Sequence, residues 1–184
     1  QTPSSAKWYE VYFTAPKIPF DNVYTGGIEQ YLIQKIDTAN SSIDVAVFEF
    51  DIETIAQALI RAEKRGVTVR VVYDNEHTDS DPQMNELIAA GISAVPDERS
   101  AFMHNKFFVF DDACIWTGSF NISMNAAYRN NENALYFCSA EAAQNYAAEF
   151  EEMYDGKFGP TSPSDTPHPK FQVSGVVIEN YFAS

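Results

Sequence analysis

One nearly unbroken apolar run, 43–50, linked by an amphipathic stretch to a second strand-like run, 67–73, restricts the fold of this chain more than any other feature. A run of that length with so few polar interruptions is a strand covered on both faces. Between the two runs, Ile55, Ala56, Leu59, Ile60 and Ala62 recur at helical spacing over residues 53–65, and Gly66 stands where such a helix stops. Strand, helix and strand in that order form a crossover that leaves the two strands parallel. Residues 84–90, ended by Gly91, predict a further helix. An α/β fold follows, with a mixed, mainly parallel β-sheet flanked by helices.

The remaining pattern fits around this frame. Residues 8–13 are β-rich, and Ile28, Tyr31, Leu32 and Ile36 predict a helix that ends at Asn40-Ser41-Ser42. Residues 107–110 and 113–117 are short apolar runs parted by Asp111 and Asp112, a β-hairpin signature. Then come a helix over 121–128, a strand over 134–137 and an amphipathic helix over 141–154. The acidic stretch 74–81 reads as a solvated loop that borders the strand ends, with His77 a loop histidine.

Composition changes after Gly156. Residues 157–170 hold Pro160, Pro163, Pro167 and Pro169 and read as a linker, with His168 facing solvent. The expected organisation is a catalytic domain over 1–156, a Pro-rich linker over 157–170, and over 171–184 the start of a second repeat. That last expectation rests on Glu179, Tyr181, Phe182 and Ala183, which stand where Glu10, Tyr12, Phe13 and Thr14 stand at an offset of 169 residues. Twice that offset makes a two-repeat protein of about 340 residues.

With 26 acidic against 12 basic residues the net charge is −14, so no broad basic face exists and a strong sequence-blind grip on nucleic acid is disfavoured. A small positive pocket is still compatible with that charge. Cys114 and Cys138 each sit inside an apolar run and read as buried small hydrophobes rather than a disulfide. No apolar stretch reaches the roughly 18–20 residues of a membrane-spanning helix. The start at Gln1, followed by Thr2, Pro3, Ser4 and Ser5, is that of an exported protein after leader removal, so an extracytoplasmic or secreted location is expected.

Chemistry concentrates between residues 103 and 132. Alternation along a strand puts His104 and Lys106 on one face and Asn105 on the other. One hairpin later Ser119 and Asn121 return a hydroxyl and an amide to the same sheet end. A nucleophile or base, a fixed cation and two neutral donors suit a phosphodiester, whose cleavage depends on holding the phosphoryl oxygens and neutralising their charge. An imidazole can attack phosphorus and then be displaced by water.

The pattern His104-x-Lys106-x-x-x-x-Asp111 followed by Gly118-Ser119-x-Asn121 resembles the signature of the phospholipase D superfamily, over roughly residues 28–154. Ser42-Ile43, Lys64-Arg65-Gly66-Val67 and Asn131-Glu132-Asn133 contribute to the likeness, which is nearest to the small bacterial endonucleases that carry one motif per chain and work as dimers. The resemblance implies that His104 is nucleophile or general acid, that Lys106 clamps phosphate oxygens, and that Ser119 and Asn121 assist. It implies that Glu132 accepts a hydrogen bond from the second nitrogen of His104. It also implies no cofactor and no metal, and a phosphodiester substrate, phospholipid or nucleic acid. Two motifs make one such site, so the second must come from another copy of the chain or from a C-terminal repeat.

Asp111 belongs to the motif but lies at the hairpin turn, where a structural role is expected. Arg129, close to Asn121 in sequence, is the expected extra cation near the phosphate, and Arg61, Lys64 and Arg65 share a solvated helix face. The competing function is a non-catalytic module of the same fold that binds phosphate-bearing ligands.

Overall fold

A computed structural model describes residues 7–183. The chain start, on which the expected leader removal rests, lies outside the described residues, as does Ser184 at the end of the expected second repeat.

A seven-stranded mixed sheet forms the centre, in the order β1 (Tyr9–Phe13), β7 (Asn133–Cys138), β6 (Cys114–Gly118), β5 (Phe107–Phe110), β2 (Ser42–Val47), β3 (Thr68–Tyr73), β4 (Ser93–Pro96). Its parallel character is confined to β2, β3 and β4; the other four pairings are antiparallel. The expected mainly parallel sheet is corrected on this point. Parallel pairing needs a helical crossover, which α2 (Glu53–Lys64) and α4 (Pro82–Ala89) supply. Beyond β4 residues 97–106 cross back to β5 on the far side of β2; a three-residue turn joins β5 to β6, and a short helix, α5 (Met124–Tyr128), lies between β6 and β7.

Alternation along the strands sorts two cores. Ile43, Val45 and Val47 face α1 (Glu29–Thr38) and α2, together with Phe108, Phe110 and Trp116. Ala46, Phe107, Val109, Ile115 and Phe137 face α6 (Ala140–Tyr154) and its Phe150 and Met153. Asp44 also points to the α6 side, where burial raises its carboxyl although Arg70 meets both of its oxygens at 2.8 Å. A second carboxylate, Glu151, joins Arg70 at 2.7 Å.

Cys114 and Cys138 form a disulfide, which corrects the reading of both as free core cysteines. They lie opposite one another in the β6–β7 register, a relation that no single apolar run reveals.

The expected linker packs as a strap along α6. The carboxylate of Glu152 accepts hydrogen bonds from the Ser162 hydroxyl and the backbone N–H groups of Ser164 and Asp165. Asn145 grips the backbone of His168 through both ends of its amide. The His168 ring, expected in solvent, is half-buried, with Nε2 2.5 Å from Oε1 of Gln144. Phe158 and Phe171 are buried on the α6 core. Residues 170–179 then form a separate hairpin, β8 (Lys170–Val173) with β9 (Val176–Glu179). Among the described residues no helix is long and apolar enough to cross a membrane.

Candidate active site

His104 and Lys106 precede β5, and the strand-like alternation holds there although the segment has no ladder partner among the described residues. Both line a cavity of about 460 Å³ with Gly118, Ser119, Asn121 and Glu132. Asn105 points the other way and donates to Oε1 of Glu149. The five residues expected from sequence, His104, Lys106, Ser119, Asn121 and Glu132, therefore meet at one place.

The hairpin turn is fastened by Asp111. Its carboxylate accepts from the backbone N–H groups of Asn40, Ser41 and Ser42 and from the Ser41 hydroxyl, and these bonds hold its pKa down despite burial. The expected structural role is thus seen as a tie between the hairpin and the start of β2.

At the other end of β6, Gly118 has φ +151° and no room for a side chain: a Cβ there would lie 2.4 Å from the carbonyl oxygen of Asn133. That closeness lets Ser119 N–H and Phe120 N–H both donate to the same oxygen, at 3.1 and 3.3 Å. The Ser119 hydroxyl accepts from the backbone N–H and the side-chain amide of Asn133, at 3.1 and 3.2 Å. Its own proton is left to donate into the cavity. Oδ1 of Asn121 is buried with no partner among the described residues, an uncompensated polar atom on the cavity wall.

His104 is exposed, and its ring meets Phe48 edge-on at 4.6 Å. Partial burial and the charge of Lys106 hold its pKa below the usual value, so the imidazole is neutral near pH 7 with a lone pair for attack. Lys106 donates to the His104 carbonyl at 3.0 Å and lies 5.0 Å from the centre of the Phe48 ring. Burial pulls its ammonium down to about 8, against the opposing pull of Glu49, Glu132 and Asp74. From sequence alone, Lys106 is expected to titrate far above neutrality when beside a phosphate; in the free site desolvation outweighs the carboxylates.

Two expectations need correction. The His104 imidazole makes no hydrogen bond to Glu132, whose carboxylate acts instead on Lys106. The backbone of Glu132 is tied to Thr14 beside β1, which fixes where its side chain can reach. Arg129 turns away from the cavity to hydrogen-bond the Tyr24 hydroxyl and pack over Phe20.

The acidic stretch after β3 is not a solvated loop throughout. Asp74 is 1% exposed and caps a one-turn helix, α3 (Asn75–Thr78). Its carboxylate meets the backbone N–H and Nδ1 of His77, and it accepts the backbone N–H of Met103 at 2.9 Å, fixing the residue before His104. The His77 ring packs on Phe48 and Phe102 beside the site. The signal in the sequence was Asp74 itself, a helix-capping type at the carboxyl end of a central strand. Among the described residues no group of three or more His, Cys, Asp or Glu is placed to hold a metal ion.

With this geometry in place, comparison with known proteins is decisive for the family. Residues 32–154 match the family described as cardiolipin synthase, PLD-like domain. The chain belongs to the phospholipase D-like family. A mitochondrial cardiolipin hydrolase from Xenopus tropicalis is 34% identical over 125 residues, covering 67% of this chain and 59% of that protein. A phospholipase D from Rickettsia prowazekii is 30% identical over 141 residues, covering 73% of this chain and 69% of that one. Nuc from Salmonella typhimurium, described as a phospholipase D family member, superposes with a TM-score of 0.70 at 24% identity, covering 80% of this chain and 94% of Nuc, and so shares the fold. The chain thus spans about three fifths of the Xenopus relative.

Proposed function

We propose that the chain supplies one half of a phospholipase D-type phosphodiesterase site that cleaves phospholipid or nucleic acid through a phosphohistidine on His104. The observation that carries this reading is the convergence of His104, Lys106, Ser119, Asn121 and Glu132 on one cavity while Asn105 faces away. Neutral His104 attacks phosphorus. Lys106 and the Ser119 hydroxyl hold the non-bridging oxygens, and Asn121 completes that wall. Water then attacks the phosphohistidine, releasing the phosphate monoester and free imidazole. The site's positive charge comes from Lys106, so the reaction is read as metal-independent.

The leaving alkoxide needs a proton that His104, bonded to phosphorus, cannot give. Lys106 is disfavoured as the acid, because a bound phosphate stabilises its charged form. His77 does not line the cavity. The acid is therefore read as a second motif histidine, from another copy of this chain or from a C-terminal repeat. The net charge of −14 and the cardiolipin hydrolase among the relatives favour a lipid substrate. The Cys114–Cys138 disulfide supports an extracytoplasmic or secreted location, since such bonds persist in oxidising compartments.

Turnover of bis(4-nitrophenyl) phosphate with excess EDTA tests the reading. Activity that survives EDTA and disappears in His104→Ala is the expected result. Activity unaffected by that substitution, or restored only by added Mg²⁺, Ca²⁺ or Zn²⁺, contradicts it.

A further inference from the structure

A second cavity, of about 520 Å³, lies on the face to which Asn105 points and also reaches His104. Its walls come from the segment before β5, from α6 and from the strap. The strap lies beyond the residues 32–154 that match the family. We propose that this cavity binds a second phosphate group of the substrate, one alcohol unit away from the phosphate attacked by His104, with Arg99 as its cation. The inference rests on the phosphodiesterase reading above, since it assigns a subsite to the same substrate.

Arg99 is the uncommitted charge in this wall. Among the described residues no carboxylate lies within ion-pair distance of it, whereas Lys157, the other cation of the wall, is held by Asp155 at 3.1 Å. The guanidinium lies 5.6 Å from the centre of the Phe158 ring and against Gly159, where a Cβ would come within 3.2 Å of it. The strap is thus shaped around the Arg99 side chain. The Arg99 backbone N–H is fixed in turn by the side-chain oxygen of Asn75, at 3.2 Å.

Glu149 supplies the second, independent observation. It is 6% exposed and lines the cavity; Oε1 accepts from Asn105, while Oε2 is buried with no partner among the described residues. Burial, with Glu152 nearby, pushes its carboxyl up to about 7. A carboxyl in that range can carry a proton and donate it in a hydrogen bond to an anionic oxygen. A guanidinium fork and a carboxylic O–H around one cavity suit the tetrahedral oxygens of a phosphate. Because His104 borders both cavities, a phosphoryl group on its imidazole lies next to this one. The shared ligand chemistry is a bisphosphate, available either from a lipid with two phosphates or from the neighbouring phosphate of a nucleic-acid strand.

The test is the preference of the intact protein for doubly over singly phosphorylated substrates, read as a ratio of kcat/KM. One pair is cardiolipin against phosphatidylglycerol in the same mixed micelle; the other is a thymidine dinucleotide with against without a 5′-phosphate. Wild type prefers the doubly phosphorylated member of one pair, and which pair responds identifies the source. Arg99→Gln removes about ten-fold or more of that preference through KM, and Arg99→Lys restores part of it. Titration calorimetry with glycerol 1,3-bisphosphate against glycerol 1-phosphate gives a readout independent of turnover. Equal affinities in wild type, or a preference unchanged in Arg99→Gln, overturn the subsite. A calorimetric preference lost in Arg99→Gln, in a protein without turnover, upholds the subsite and sinks the catalytic reading alone.

Discussion

Replacing Gly118 by alanine tests how the hairpin builds the site. The new Cβ would stand 2.4 Å from Asn133 O and 3.0 Å from Ala134 Cα, so β6 and β7 must part by about 1 Å to reach ordinary van der Waals contact. That movement stretches the 3.1 and 3.3 Å bonds from Ser119 N–H and Phe120 N–H beyond bonding range. Two hydrogen bonds at about 1 kcal/mol each, with about 1–3 kcal/mol of strain at a backbone angle suited to glycine, make a loss of about 3–5 kcal/mol. With a urea slope of about 2 kcal/mol/M, the unfolding midpoint falls by roughly 2 M. Ser119 shifts with the backbone, and a displacement of about 1 Å costs on the order of 10²-fold in kcat. Equilibrium unfolding in urea and steady-state turnover read the two effects. An unchanged midpoint together with unchanged kcat would refute the close approach at Gly118 as the device that positions Ser119.

The remaining predictions concern charge and the cross-link. The free-enzyme profile of kcat/KM rises through a pKa below 6.5, as His104 becomes neutral, and falls again as the second-motif histidine that serves as acid and, above about 8, Lys106 lose their protons. Glu132→Gln removes a charge that supports the ammonium, so the alkaline limb moves to lower pH; a profile level beyond pH 9, or a limb unmoved in the variant, counts against this electrostatic picture. The disulfide closes a 24-residue separation, so the Cys114→Ser, Cys138→Ser double variant loses about 3 kcal/mol and roughly 6–12 °C in Tm. A Tm equal to wild type under oxidising conditions would show that the bond does not stabilise the folded chain.

The parts of this protein legible in its sequence are those written locally. Helical spacing from Ile55 to Ala62 and the apolar run from Ile43 produced β2, α2 and β3 with boundaries close to those observed. His104, Lys106, Ser119 and Asn121 could be brought together because one hairpin and a two-residue alternation determine their direction. What escaped depends on contacts between distant segments. The Cys114–Cys138 bond needs the β6–β7 register, and Glu132 is directed by its tie to Thr14, 118 residues away. Asp74 looks like one acid among several until β3 places it beneath Met103, 29 residues on. The strap has the prolines of a linker, but Glu152 and Asn145 of α6 offer hydrogen-bond partners to backbone that such a sequence leaves unpaired.

The covalent step on His104 is the centre of this account, and a rapid-quench experiment addresses it directly. With a substrate labelled in the scissile phosphate, acid-labile, base-stable label is expected on the wild-type chain within one turnover, and none on His104→Asn. Label that persists on the His104→Asn chain, or turnover by wild type with no labelled chain at any quench time, would contradict it.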